Sequence, residues 1–200
     1  MLHLFVPGTK SADSLLLLHD AGGDENSLMA AGHDISAGAA LLGVRGRSEW
    51  GGRRSFFSRD ASGAPVLEDF LMRCEELSDF IRAARRDYDL RRIFALSHGT
   101  GADMAACLLF LRPESIDGGI LFRPSAAIIP KEAPDLREKH VWVGAGRKDD
   151  ISPGTKSGAI AAALLRCGAD VTLRWHEGAH EIARDEIAAA RRWLGRVVQG

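Results

Sequence analysis

Apolar and polar positions along the chain fall into two alternating patterns. Short apolar runs cover residues 2–6, 15–19, 39–44, 92–96, 118–122, 141–145 and 171–176. Several are apolar at consecutive positions, the pattern of strands buried on both faces of a mostly parallel sheet. Between them lie longer stretches of helical period. Leu67, Phe70, Leu71, Cys74, Leu77 and Ile81 recur at spacings of three and four and make one stripe of a helix running to about Arg85. A second helix opens at Thr100 or Gly101, passes through Met104, Leu108 and Leu111, and is stopped by Pro113. A third spans residues 155–166 and stops at Gly168, and the last runs over 181–198. Alternating strands and helices predict a three-layer α/β domain.

The least regular stretch is 45–65, R-G-R-S-E-W-G-G-R-R-S-F-F-S-R-D-A-S-G-A-P. Its aromatics, Trp50, Phe56 and Phe57, suit either a packed loop walling a pocket or a satellite core.

Composition narrows the class. A chain of 200 residues, 46% hydrophobic and 26% charged, suits one globular domain spanning 1–200. With 26 basic against 27 acidic side chains the net charge is −1, which argues against a general nucleic-acid binder. No apolar run is long enough to cross a membrane, and the start lacks the pattern of a signal peptide, so a cytoplasmic protein is expected. Cys74, Cys107 and Cys167 are widely spaced among apolar neighbours and read as buried thiols.

In a parallel α/β sheet, ligands bind beyond the carboxyl ends of the strands. After the second run comes H-D-A-G-G-D-E-N, where Gly22 and Gly23 allow a tight turn and the Ala21 amide can face a developing negative charge. After 141–145 comes G-R-K-D-D-I-S-P, with Asp149 on a loop and Asp150 as the alternative acid. After 171–176 comes E-G-A-H-E-I, with His180 before the last helix. Strand, elbow and helix, then Asp, then His, is the chain order of the α/β-hydrolase triad.

These segments resemble the phospholipase/carboxylesterase (dienelactone-hydrolase-like) branch of the α/β-hydrolases, small cytosolic esterases and thioesterases. The resemblance spans nearly the whole chain. L-L-L-L-H-D-A-G-G-D-E-N is similar to the family's oxyanion segment L-L-L-H-G-x-G-G-D/N-E, and L-L-G-V-R-G-R to its L-L-x-P-R-G. R-R-S-F-F and L-F-R-P also have counterparts. A-G-R-K-D-D-I-S-P and W-H-E-G-A-H-E match G-x-x-D-P-I-V-P and W-H-x-G-G-H-E. The resemblance implies an α/β-hydrolase fold without a cap domain, with Asp149 as triad acid and His180 as triad base. It implies a small ester or thioester ligand, no nucleic-acid or membrane partner and no cofactor. It leaves a homodimer open.

The nucleophile segment departs from the family's G-Y/F-S-N/Q-G-A/G, reading A-L-S-H-G-T-G-A over 95–102. Aligned without a gap, Gly99 takes the place of the nucleophilic serine and Ser97 that of the first glycine. A shifted register, A-x-S-x-G over 95–99, puts Ser97 on the elbow, but shortens the strand and adds Gly99 and Gly101 to the helix entrance. The two registers carry two functions. With Ser97 on the elbow, Ser97, His180 and Asp149 form an active serine esterase, with the amides of Ala21 and His98 as oxyanion hole. With Gly99 there, the protein is weakly active or a non-catalytic ligand-binding member of the fold. Gly22, Thr100, Phe56 and Phe57 complete the expected pocket. His19, His98, His176 and His180 all follow strands, but their spacing fits no metal-ligand pattern, so no metal site is expected.

Overall fold

The computed structural model describes residues 1–9, 13–126 and 128–199. Its main sheet is built from β1 (His3–Val6), β2 (Asp13–Leu18), β3 (Ala40–Val44), β6 (Arg92–His98), β7 (Gly118–Phe122), β8 (His140–Gly146) and β9 (Asp170–His176). The spatial order is β1-β3-β2-β6-β7-β8-β9. All neighbours run parallel except β1, which pairs antiparallel with β3 at the sheet edge.

The sheet is covered on both faces because side chains alternate along each strand. Leu16 and Leu18 of β2, with Ile93 and Ala95 of β6, join a core made with α2 (Leu67–Asp87), α3 (Thr100–Leu111) and α4 (Gly154–Arg166). Leu15, Leu17, Phe94 and Leu96 face the other way, toward α1 (Met29–Ile35) and α5 (Arg184–Gln199). Every residue of β2 is therefore buried, which explains a strand with no polar alternation. No cap domain is present among the described residues, and no described helix is long and apolar enough to cross a membrane. Cys74, Cys107 and Cys167 are buried free thiols.

All seven expected strands form, with one shift that matters: β6 runs on to His98 and takes Ser97 into the ladder. The 45–65 segment contains a hairpin, β4 (Ser48–Trp50) and β5 (Arg53–Ser55). Phe56 and Phe57 follow it into the core, 3% and 0% exposed. The Phe57 ring lies 4.3 Å from that of Phe70, and the Phe56 ring 4.8 Å from that of His19. This corrects the expectation that they line the cleft. Full burial of each ring contributes roughly 1.5–3 kcal/mol, so the aromatics fasten the loop to the domain. Arg59 adds an ion pair to buried Asp103 on α3 at 3.2 Å.

Candidate active site

The chain reverses its winding between β2 and β6. α1 leaves β2 on one face of the sheet, and α3 leaves β6 on the other. The carboxyl ends of these two strands border the crevice where parallel sheets place ligands.

β6 ends at His98, and Gly99 turns the chain with φ +51° and ψ −117° before α3 begins at Thr100. This is the tight strand–helix elbow on which α/β-hydrolases mount a nucleophile. The conformation is one that residues with a Cβ adopt only under strain. Ser97 lies two residues earlier, fully buried, paired across the sheet with Leu18 and Leu121. Its Oγ donates to the Ile120 carbonyl at 3.1 Å. The shifted register is thus corrected: the apex is Gly99, and the Ser97 hydroxyl is spent inside the sheet.

Asp149 and His180 come together. His180 Nδ1 donates to Asp149 Oδ2 at 2.9 Å, and Asp149 Oδ1 accepts the amides of Ile151 and Ser152 at 2.9 and 2.8 Å. Asp150 is exposed and takes no part. The loop carrying His180 is held by Arg123, which is fully buried. Its guanidinium makes a bidentate pair with Glu186 at 2.7 Å for both bonds and donates to the carbonyls of Ala179 at 3.0 Å and Glu181 at 3.1 Å. His19 and His176 brace loops instead. His19 donates through Nδ1 to the Asp20 carbonyl and accepts the Gly46 amide at Nε2, and His176 Nδ1 accepts the Gly178 amide.

The residue that sequence reasoning passed over is Asp20. Its carboxylate reaches across from the end of β2 and fills the space where a side chain at position 99 would stand. A Cβ built on Gly99 would overlap Oδ1 and Cγ of Asp20. Oδ1 accepts the Thr100 amide at 2.8 Å, and Oδ2 lies 3.0 Å from His180 Nε2. The signal was present in the chain: the family's H-G-x-G-G has glycine where this sequence has Asp20.

Charge follows from these contacts. Burial alone would raise the Asp20 carboxyl, but the His180 bond, the nearby His98 and the amides of Thr100 and Ala21 bring it down to about 2. Burial pulls the His180 imidazole down, and its bonds to Asp20 and Asp149 overcome this and raise it. Asp20 thus sits as a carboxylate against a histidine clamped between two acids. His98, half-buried, donates through Nε2 to the His180 carbonyl at 2.9 Å. Burial holds its imidazole below the usual histidine range. The Thr100 hydroxyl is buried without a hydrogen-bond partner.

A cleft of about 490 Å³ opens beside this group, bordered by Asp20, Ala21, Ala31, His98, Ile182 and Ile187. Gly22, at φ +89°, turns the 19–24 loop and faces a neighbouring hollow with Arg53 and Arg54.

No protein-family model matches the chain. It is 35% identical over 200 residues to "Putative hydrolase MhqD" of Bacillus subtilis (strain 168), covering 99% of this chain and 100% of that protein. The crystal structure of the Bacillus cereus carboxylesterase superposes with a TM-score of 0.93 at 31% identity, over 98% of this chain and 93% of that one. A carboxylesterase from Mesorhizobium loti gives a TM-score of 0.86 at 26% identity, over 93% and 90% of the two chains. The chain belongs to the carboxylesterase branch of the α/β-hydrolase family.

Proposed function

We propose that this chain binds a small carboxylic ester or thioester in the cleft beside His180, and that it turns such a ligand over only at the residual rate of a site without a serine nucleophile. One observation carries the reading. The elbow apex is Gly99, and the space of its absent side chain is filled by the Asp20 carboxylate, which also takes the Thr100 amide.

An esterase needs three things at this point: an attacking oxygen, a base to take its proton, and amides for the oxyanion. The base and its orienting acid are His180 and Asp149, 2.9 Å apart. The attacking oxygen is missing. The Thr100 amide is committed to a resident carboxylate, so a carbonyl oxygen must displace a charge-assisted bond to reach it. Serine proteases stripped of a triad member retain roughly 10³–10⁴-fold catalysis over water, from the oxyanion hole and binding. With the amide occupied, this site falls below that range. Binding without turnover is the second reading, and the occupied amide favours it.

Hydrolysis of p-nitrophenyl acetate by the purified chain tests this. The expected result is a rate barely above the buffer rate and unchanged within about twofold by Ser97→Ala, with no covalent labelling by a fluorophosphonate. Ser97→Ala should instead lower stability by about 1 kcal/mol, the usual net worth of one hydrogen bond. Fast hydrolysis abolished by Ser97→Ala, or a fluorophosphonate adduct on Ser97, would overturn the reading.

A further inference from the structure

Three departures from the family pattern meet at one point in space. Asp20 stands for the glycine of H-G-x-G-G, His98 for the Tyr or Phe before the nucleophile, and Gly99 for the serine itself. Loss of the nucleophile alone would explain only the third. Together with His180, the first two bring one carboxylate and two imidazoles into a single cluster. One donor atom from each of Asp20, His98 and His180 lies within 4.8 Å of the other two.

The donors have the surroundings of metal ligands. A histidine that binds a metal through one nitrogen almost always donates its other N–H to a carboxylate or a backbone carbonyl, which fixes the ring. Both rings here do so. His180 gives its Nδ1 hydrogen to buried Asp149, leaving Nε2 toward the cluster, and His98 gives its Nε2 hydrogen to the His180 carbonyl, leaving Nδ1. The ring centroids are 4.7 Å apart. Asp20 is held in the same way: Oδ1 takes the Thr100 amide and Oδ2 is left facing His180 Nε2.

Spacing agrees. Ligand atoms about 2.0–2.2 Å from one zinc ion stand about 3.0–3.5 Å from each other. Asp20 Oδ2 and His180 Nε2 are 3.0 Å apart. Glycine at position 99 makes room for the Asp20 donor, because any Cβ there would collide with its carboxylate.

We propose that Asp20, His98 and His180 form a binding site for one divalent transition-metal ion of the zinc class, held among their three converging donor atoms beside the elbow. The ion replaces the hydrogen on His180 Nε2, and that proton goes to solvent. Two imidazole nitrogens and one carboxylate suit zinc and its first-row neighbours; calcium and magnesium prefer all-oxygen sets. Three protein ligands leave a further position, on the side of the cleft that Asp20 and His98 border, for water or a ligand oxygen. Binding is measured without substrate, so it stands or falls separately from ester hydrolysis.

The full chain, stripped with a chelator, is titrated calorimetrically with zinc sulfate, and retained zinc is counted after gel filtration. The expected result is one zinc per chain with a dissociation constant of about 1 µM or tighter. Asp20→Asn and His98→Phe should each weaken binding at least about 100-fold. Asp149→Asn, which frees the His180 ring, should weaken it about 10–100-fold. His33→Gln, at an exposed histidine on α1, should bind like the parent. Cobalt(II) offers a readout on the unmodified chain: an intense visible spectrum of a low-coordinate site, bleached by one equivalent of zinc. Should a variant fail to fold, the cobalt result on the parent decides. No tight zinc and no cobalt spectrum would overturn the proposal, as would zinc held equally well by folded Asp20→Asn and His98→Phe.

Discussion

Exchanging the two residues at the elbow, Asp20→Gly with Gly99→Ser, is expected to raise p-nitrophenyl acetate hydrolysis by about 10³-fold or more. The double variant restores two things at once. It places a hydroxyl at the apex, where His180 Nε2 now faces the Asp20 carboxylate at 3.0 Å. It also frees the Thr100 amide, and one oxyanion donor is worth about 10²–10³ in rate in well-studied hydrolases. Asp149 needs no change, since it already orients His180.

The single changes should fail, each for its own reason. Gly99→Ser alone drives a Cβ into the Asp20 carboxylate and adds a side chain at φ +51°. A strained elbow costs about 1–3 kcal/mol even when its surroundings fit, so this variant should melt below the parent and gain little activity. Asp20→Gly alone frees the amide and leaves nothing to attack. It should stay near the parental rate. The measurement is initial rate together with fluorophosphonate labelling of position 99 in all four proteins. A folded double variant no faster than the parent would show that the apex geometry does not support serine chemistry. Ser97 requires no companion change, because its side chain already fits inside the sheet with its Oγ on the Ile120 carbonyl.

How much of this was legible in the sequence depends on how many residues each feature recruits. β2 was plain because four consecutive leucines closely followed by Gly22-Gly23 suit a short strand buried on both faces. α2 was plain because its buried positions, Phe70, Cys74, Leu77 and Ile81, repeat at helical spacing over many turns. α1 escaped notice: it has seven residues and buries only Gly32 and Ile35, too few to make a stripe. The β4–β5 hairpin has three-residue strands, and its real signal was Gly51-Gly52, both at positive φ, the pair that a two-residue hairpin turn favours. In the site, Asp149 and His180 could be placed through the resemblance, since each sits in a long matched segment. Asp20 could not be found by spacing. It lies far along the chain from both partners, and only the fold brings the ends of β2, β6 and β9 together. His98 was visible as one of the histidines that follow a strand, but its meaning depends on the same convergence.

Removing the Arg123 guanidinium is expected to cost about 3–5 kcal/mol of stability, the penalty for leaving a buried charge without its partner. Arg123 and Glu186 have side chains 0% and 5% exposed. Neither can recover water if the other is cut. The guanidinium also satisfies the carbonyls of Ala179 and Glu181, on either side of His180, so it sets the course of that loop. Its backbone is itself strained at φ +57°, a conformation that the four side-chain hydrogen bonds sustain. Arg123→Met keeps much of the length and removes the charge. Urea unfolding should show a lower midpoint at an unchanged slope, the sign of lost native stability and not of an altered denatured state. Adding Glu186→Leu should recover part of the loss, because a buried pair replaced on both sides no longer strands a charge. It should not recover the order of the His180 loop, since the two carbonyls remain without their donor. Two outcomes separate these contributions. If the double variant regains the parental midpoint, the two carbonyl bonds carry no stability. If it stays as low as Arg123→Met alone, the stranded Glu186 charge was not the main cost, and the loop was.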